Sequence, residues 1–364
     1  MDIGSIDRNF AVETKAEDGF IFRDVKQEPF KIEGLPWFRE NSREYCRLPK
    51  TMTEKDVNEG ALALAHHMAG VCVRFRSDSP ELLIRAGLAY STDMNHMPRT
   101  GSAGFDSYRR GGDGKMLYNR TVQPSPGQVD VRTQIGNNPG GALCEWIVNF
   151  PLYGGVEKVE IGFRDGSTIL PPPPHRVERP ILFYGSSITQ GGCASRPGNA
   201  YTSMLCRKVD AEQINLGFSG SGRGEIAVAR AIAGLSLSAF VMDYDHNAPD
   251  PEHLEKTHEP FFRAVREANP GLPIIIMSMP NCREQDFHDP AFGCRRRRDI
   301  IRGTYLHAVA AGDRNVYFID GETLFGRRMH DACTVDGCHP NDLGFYRMYR
   351  HVLPVLEKAL KQVR

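Results

Sequence analysis

The 364-residue sequence has no net charge, only two tryptophans and no long unbroken apolar run. A membrane-crossing helix needs about 20 consecutive, mostly apolar residues, and no segment offers them. Lys+Arg and Asp+Glu are both 45, so the basic footprint that nucleic-acid backbones select is missing. The opening stretch MDIGSIDRNFAVETKAEDGF has neither the basic nor the apolar region of an export signal, and a cytoplasmic protein is expected. Nine cysteines, an odd number without framework spacing, suit reduced thiols better than a disulfide scaffold. No internal repeat is present, and an oligomer is compatible with the composition without being specified by it.

What is present is an ordinary globular composition: 40% apolar and 25% charged residues, with 36 Gly and 24 Pro to mark turns. The length suits two domains. From Ala69 to Leu88 the pattern alternates, with Val71, Val73 and Phe75 on one side and Arg74 and Arg76 opposite, followed by Leu82 and Ile84. Period two predicts half-buried strands. Similar stretches at Gln128–Ile135, Cys144–Phe150 and Lys158–Phe163, with no amphipathic helix between them, predict a jelly-roll-like β-sandwich over residues 1–170. Four prolines at 171–174 read as a stiff spacer, assigned to 171–179, between two independently folding units.

After Pro180 the grammar changes. Short apolar runs at Ile181–Tyr184, Glu212–Leu216, Ala239–Asp243, Ile274–Ser278 and Val316–Ile319 alternate with helical patterns near 201–208, 225–233, 255–268, 298–311 and 343–361. Strands alternating with helices predict an α/β domain over 180–364, its parallel sheet of five strands covered on both faces.

In such a sheet ligands bind beyond the carboxyl ends of the strands. The first strand ends in Gly185-Ser186-Ser187-Ile188-Thr189-Gln190-Gly191, a serine on a sharp turn. The second ends in Asn215-Leu216-Gly217-Phe218-Ser219-Gly220, where glycine lets a backbone N–H approach a substrate oxygen. The third ends in Asp243-Tyr244-Asp245-His246-Asn247, with an amide donor at its tip. Asp336-Gly337-Cys338-His339-Pro340 sets a carboxylate and an imidazole three residues apart, a spacing that lets the histidine face a serine while the aspartate orients it.

With these four blocks in this order, the chain resembles the SGNH, or GDSL-type, hydrolases. The resemblance implies a flavodoxin-like three-layer α/β/α fold and a serine esterase. Carried over, it implies Ser187 as nucleophile, Asp336 and His339 as its base system, and an oxyanion hole of Ser187 N–H, Gly220 N–H and the Asn247 amide. Two positions depart from the family pattern: Ser186 stands where an Asp is usual, which loses a loop-tying carboxylate, and His246 stands where a Gly is usual. The β-sandwich ahead of the hydrolase domain resembles two-domain carbohydrate acetylesterases and some acyltransferases. The expected substrate is therefore an acetyl or other short acyl ester of a carbohydrate or similar small molecule. An acyltransferase using the same acyl-serine, or a catalytically dead carbohydrate-binding protein, is the alternative.

At the domain interface, Arg99, Asp106 and Tyr108 in the loop Met97–Tyr108 are expected to border the cleft beside His246. No cofactor is called for. His330, Cys333, Cys338 and His339 have metal-ligating side chains but no zinc-knuckle spacing, so no metal is assigned. Cys193 is expected to be a packed thiol, His66 and His67 to be surface or satisfied core residues, and Arg295–Arg298 to be a solvated helix start.

Overall fold

The computed structural model describes residues 6–7, 17–90 and 92–362, with the side chain at 283 left aside; most of the stretch read for an export signal lies outside them. Among these residues no helix is long and apolar enough to cross a membrane. The alternating half folds into strands β1 (Phe20–Asp24), β2 (Lys31–Glu33), β3 (Cys72–Ser77), β4 (Glu81–Leu88), β5 (Asp106–Arg110), β6 (Met116–Thr121), β7 (Asp130–Asn137), β8 (Cys144–Asn149), β9 (Val156–Arg164) and β10 (Ile169–Leu170). They form two antiparallel sheets, β1-β9-β4-β7 and β10-β3-β8-β5-β6, with β2 beside β3. The register pairs Phe75 with Trp146 and Ile84 with Ile161, and these inward positions join one buried core.

The outer face of β3 departs from expectation. Arg74 is buried rather than solvated, donating to the Glu33 and Glu145 carboxylates and to the Pro173 carbonyl. The proline segment is therefore laid along the sandwich, with Arg76 donating to the Pro171 carbonyl at 2.9 Å. His175 joins Glu33 to Asp210 of the second domain at 3.0 and 2.8 Å.

The second half begins with β11 (Val177–Gly185), which starts inside the stretch read as linker. With β12 (Ala211–Gly217), β13 (Ala239–Asp243), β14 (Ile274–Met277) and β15 (Val316–Ile319) it forms a parallel sheet of order β12-β11-β13-β14-β15, the flavodoxin order. Leu182 and Tyr184 face one helical layer, while Ile181 and Phe183 face the other, the two-sided burial that their continuous apolar runs require.

The sandwich has a core of its own, but residues of the N-terminal half also complete both cores of the α/β domain. Leu48, Val57, Ala61 and Ala65 pack into one face of the α/β domain. Ala69, Met97, Leu152 and Tyr153 pack into the other. Buried Arg47 donates to the carbonyls of Asn215 and Gly217 at 2.7 and 2.9 Å, at the end of β12. This shared burial argues against the expectation of two independently folding units.

Candidate active site

The β11 strand turns at Ser186 into a one-turn helix, α1 (Ser187–Gln190). The Ser186 hydroxyl accepts from Ile188 N–H at 3.2 Å, an N-cap of the ordinary kind. The turn is thus tied despite the missing carboxylate. Beneath it, buried Asp243 accepts from Thr189 and Tyr201 hydroxyls at 3.1 and 3.2 Å, and its backbone carbonyl accepts from Ser186 N–H. Burial, reinforced by Asp245, pushes the Asp243 carboxyl well above its ordinary range.

Ser187 Oγ lies 2.9 Å from His339 Nε2, and His339 Nδ1 lies 2.6 Å from Asp336 Oδ2. Asp336 Oδ1 also accepts from the N–H groups of Cys338 and His339 at 3.0 and 2.7 Å. That turn requires the left-handed backbone of Gly337, φ +86°. Burial opposes ionisation of Asp336, but the hydrogen bonds from His339 and Cys338 prevail and hold its carboxyl below the usual range. An ionised Asp336 accepts the Nδ1 proton, which leaves Nε2 to accept from the serine.

Gly220 adopts φ +67° with open space where a Cβ would stand. Among the described residues no acceptor takes the N–H of Ser187 or of Gly220. Asn247 Nδ2 donates to the Phe218 carbonyl at 2.7 Å, which uses one of its two protons and leaves the other for a ligand. The three expected oxyanion donors therefore lie in a linked set of loops.

His246 is enclosed, its side chain 9% exposed, and neither ring nitrogen has a hydrogen-bond partner. Burial, then the charges of His339 and Arg297, pushes its pKa down to about 3, so the ring is neutral. The other expected substrate contacts are committed elsewhere. Asp106 is fully buried and accepts from Asn149, Arg196 and Gly198 N–H at 2.7–2.9 Å. The Tyr108 hydroxyl accepts from Arg196 at 2.5 Å. Both are buried bolts between the domains. Arg99 donates to the Pro124 carbonyl and pairs with Asp93.

The loop that Arg99 braces brings in a residue the sequence did not disclose. His96, from the sandwich half, stacks edge-on against His339 with ring centroids 5.5 Å apart. Ligand atoms of His96, Cys193 and His339 lie within 4.8 Å of one another, although both His339 nitrogens already serve Ser187 and Asp336. Cys193 is buried and burial pushes its thiol up to about 12, as a packed thiol requires. Two further positioning residues were missed. Gln190 accepts from Ser219 N–H at 2.9 Å and donates to the Leu152 carbonyl at 3.1 Å, with His67 beside it. Arg297, hidden in the arginine run, is buried and donates to the carbonyls of Asp245, Ala248 and Phe292 at 2.8–2.9 Å. Its neighbours do behave as surface groups: Arg296 pairs with Glu252 and Glu255, and Arg295 with Asp286. His330 faces Glu284 while Cys333 lies under Arg347, so those two serve separate contacts.

A flavodoxin-order sheet with a serine–imidazole–carboxylate chain at its carboxyl edge places the protein among α/β ester hydrolases. Residues 178–357 match the family model of the GDSL-like lipase/acylhydrolases, and residues 20–169 match that of the N-terminus of SGNH-hydrolase-type esterases. The chain belongs to the SGNH (GDSL-type) hydrolase family, in a two-domain form, and is an SGNH-type esterase. A protein from Bacteroides ovatus described as a GDSL-like lipase superposes with TM-score 0.83 at 28% identity, over 94% of this chain and 98% of that one. A salicylyl-acyltransferase from a tetracycline biosynthetic pathway gives 0.77 at 17% identity, over 95% and 100%. A family two carbohydrate esterase from Clostridium thermocellum gives 0.59 at 14%, over 81% and 94%. The last two likenesses speak for the fold alone. No curated protein matches the chain.

Proposed function

We propose that the protein removes acetyl or another short acyl group from a carbohydrate or related small molecule through an acyl-serine. Ser187 Oγ attacks the ester carbonyl while His339 takes its proton and Asp336 steadies the resulting imidazolium. The oxyanion is held by the N–H groups of Ser187 and Gly220 and by the free Asn247 proton. Collapse expels the alcohol, which His339 protonates; water, deprotonated by the same imidazole, then attacks the acyl-enzyme and releases the acid. His246, expected as a substrate contact, lines the site from behind, its ring nitrogens enclosed and out of a substrate's reach in this arrangement.

The observation that carries this reading is the 2.9 and 2.6 Å chain from Ser187 through His339 to Asp336. The two-domain architecture shared with carbohydrate esterases supports the alcohol portion. The test is a serine-reactive fluorophosphonate together with an acyl-chain series of sugar and chromogenic esters, with and without added sugar acceptors. Labelling at Ser187 and acid release from acetylated sugars are expected. Acyl transfer to the acceptor in preference to water would replace the hydrolase by an acyltransferase, and absence of labelling would remove the mechanism.

A further inference from the structure

Away from the serine, the end of β14 and the starts of α2 (Cys282–His288) and α3 (Cys294–Ala310) bring sulfur atoms together. Ligand atoms of Cys282, Asp286 and Cys294 all lie within 4.8 Å of one another. Met279 Sδ is 2.9 Å from Cys294 Sγ. The three sulfur residues are each at most 2% exposed, and Phe292 packs against them. The eleven-residue gap between the cysteines fits no ligand motif, and only the turn from α2 back to α3 closes it.

We propose that Met279, Cys282 and Cys294 form a binding site for one soft monovalent cation, Cu(I). Two thiols and a thioether are the donor set that selects such an ion, whereas Zn²⁺ would take the thiolates and Asp286 and leave Met279 idle. Binding releases both thiol protons as two Cu–S bonds form, so the occupied site carries one net negative charge. Arg297 and Arg298 stand within electrostatic reach of Cys294 and Cys282 respectively and offset part of that charge, against Asp245 and Asp286, which act on Cys294 in the opposite sense. Asp286 Oδ1 already accepts from Cys294 N–H at 3.0 Å, a supporting bond that fixes the α3 start. Cys282 also lines an open cavity of about 850 Å³ shared with Asn281, Glu284, Arg298 and Asp320, which supplies an entry path. The site sits behind the Asn247 loop, because Met279 N–H donates to Asp245 Oδ2 at 2.9 Å.

The experiment is anaerobic competition of the full chain against bicinchoninate-bound Cu(I), read from the chelate's colour. One Cu(I) per chain is expected to be withdrawn by the native protein and by Cys144→Ser, a half-buried cysteine of the sandwich. Cys282→Ser/Cys294→Ser should lose that equivalent. Met279→Leu should keep the stoichiometry and bind at least about tenfold more weakly, while a parallel Zn²⁺ titration should not distinguish it from the native chain. Circular dichroism establishes that each variant is folded; if the double serine variant is not, the Met279→Leu comparison decides. Equal Cu(I) uptake by folded double variant and native protein, or unchanged affinity in Met279→Leu, overturns the proposal.

Discussion

Arg297 Nη1 lies 2.8 Å from the carbonyl oxygen of Asp245, and the same nitrogen donates to Ala248 at 2.9 Å. One buried guanidinium thus brackets His246 and Asn247 from outside the substrate space. Arg297→Gln is expected to lower kcat by about 10- to 100-fold with KM within roughly threefold, since a displaced amide is felt chiefly when charge develops on the oxygen. The carbonyls left without a donor should cost about 3 kcal/mol of stability. Arg297→Lys should recover part of kcat. A loss confined to KM would show that the loop geometry does not depend on this contact.

Asn247 itself supplies the comparison. Its removal as Asn247→Ala should cost about 3 kcal/mol in the barrier, roughly 10²-fold, again in kcat. Steady-state kinetics on a short-chain ester checks this. If Arg297 acts through Asn247, the double variant should be little worse than Asn247→Ala alone.

Ser187→Ala is expected to lose on the order of 10⁴-fold or more in kcat, and His339→Ala nearly as much. Asp336→Ala should cost less, about 10²- to 10⁴-fold, because the carboxylate fixes the tautomer without itself exchanging a proton with substrate. Combining it with His339→Ala should add little. Additive losses would mean that Asp336 works elsewhere, and the buried Asp243 and Asp245 would then be tested.

The sequence disclosed the parts of this molecule that have a period or a local motif. Buried parallel strands announce themselves as continuous apolar runs, and the three strand-end blocks with the block at 336–340 hold the candidate groups that meet at the sheet's carboxyl edge, so the sheet and the candidate site were legible in order. Contacts set by long-range docking were not. Arg74 alternates correctly toward the outer face of β3, but nothing local says that a proline segment covers that face. His96 precedes the loop that was singled out, yet its neighbour His339 is 243 residues away in sequence. Arg297 did leave a trace: Cys294, Arg297, Ile301, Thr304 and Ala308 are the buried positions of α3, a helical stripe that the four consecutive arginines obscured.

The shared cores predict that the α/β half cannot stand alone. A fragment beginning at Arg176 would expose the surfaces that Leu48, Val57, Ala61, Met97, Leu152 and Tyr153 cover and would lose the Arg47 cap on β12. The full chain should unfold in urea as one transition by fluorescence and circular dichroism, and the fragment should show no cooperative transition. A fragment that melts cooperatively with native-like circular dichroism would restore the proline segment as a true divider.

The last prediction concerns acid. His258 is 1% exposed, its Nδ1 2.8 Å from the Thr304 hydroxyl and its ring 5.5 Å from that of Tyr244. Burial, only weakly opposed by Glu259, pushes its pKa from 6.5 down to about 3. The folded protein therefore keeps this imidazole neutral while the unfolded chain protonates it below pH 6.5, so the contribution to stability is present above that pH and drains away as pH falls toward 3. His67 and His246, each pushed to about 3 by burial, act in the same direction. Asp243 and Asp245, raised by burial, hold protons in the folded state and act in the opposite one, so the total profile blends both signs. A difference isolates the single group. The stability of native protein relative to His258→Gln, from urea melts at each pH, should fall by about 2 kcal/mol between pH 6.5 and 4.5, a slope approaching 1.4 kcal/mol per pH unit. A difference independent of pH would mean that His258 takes up its proton alike in the folded and unfolded chain, and that its burial does not hold it neutral.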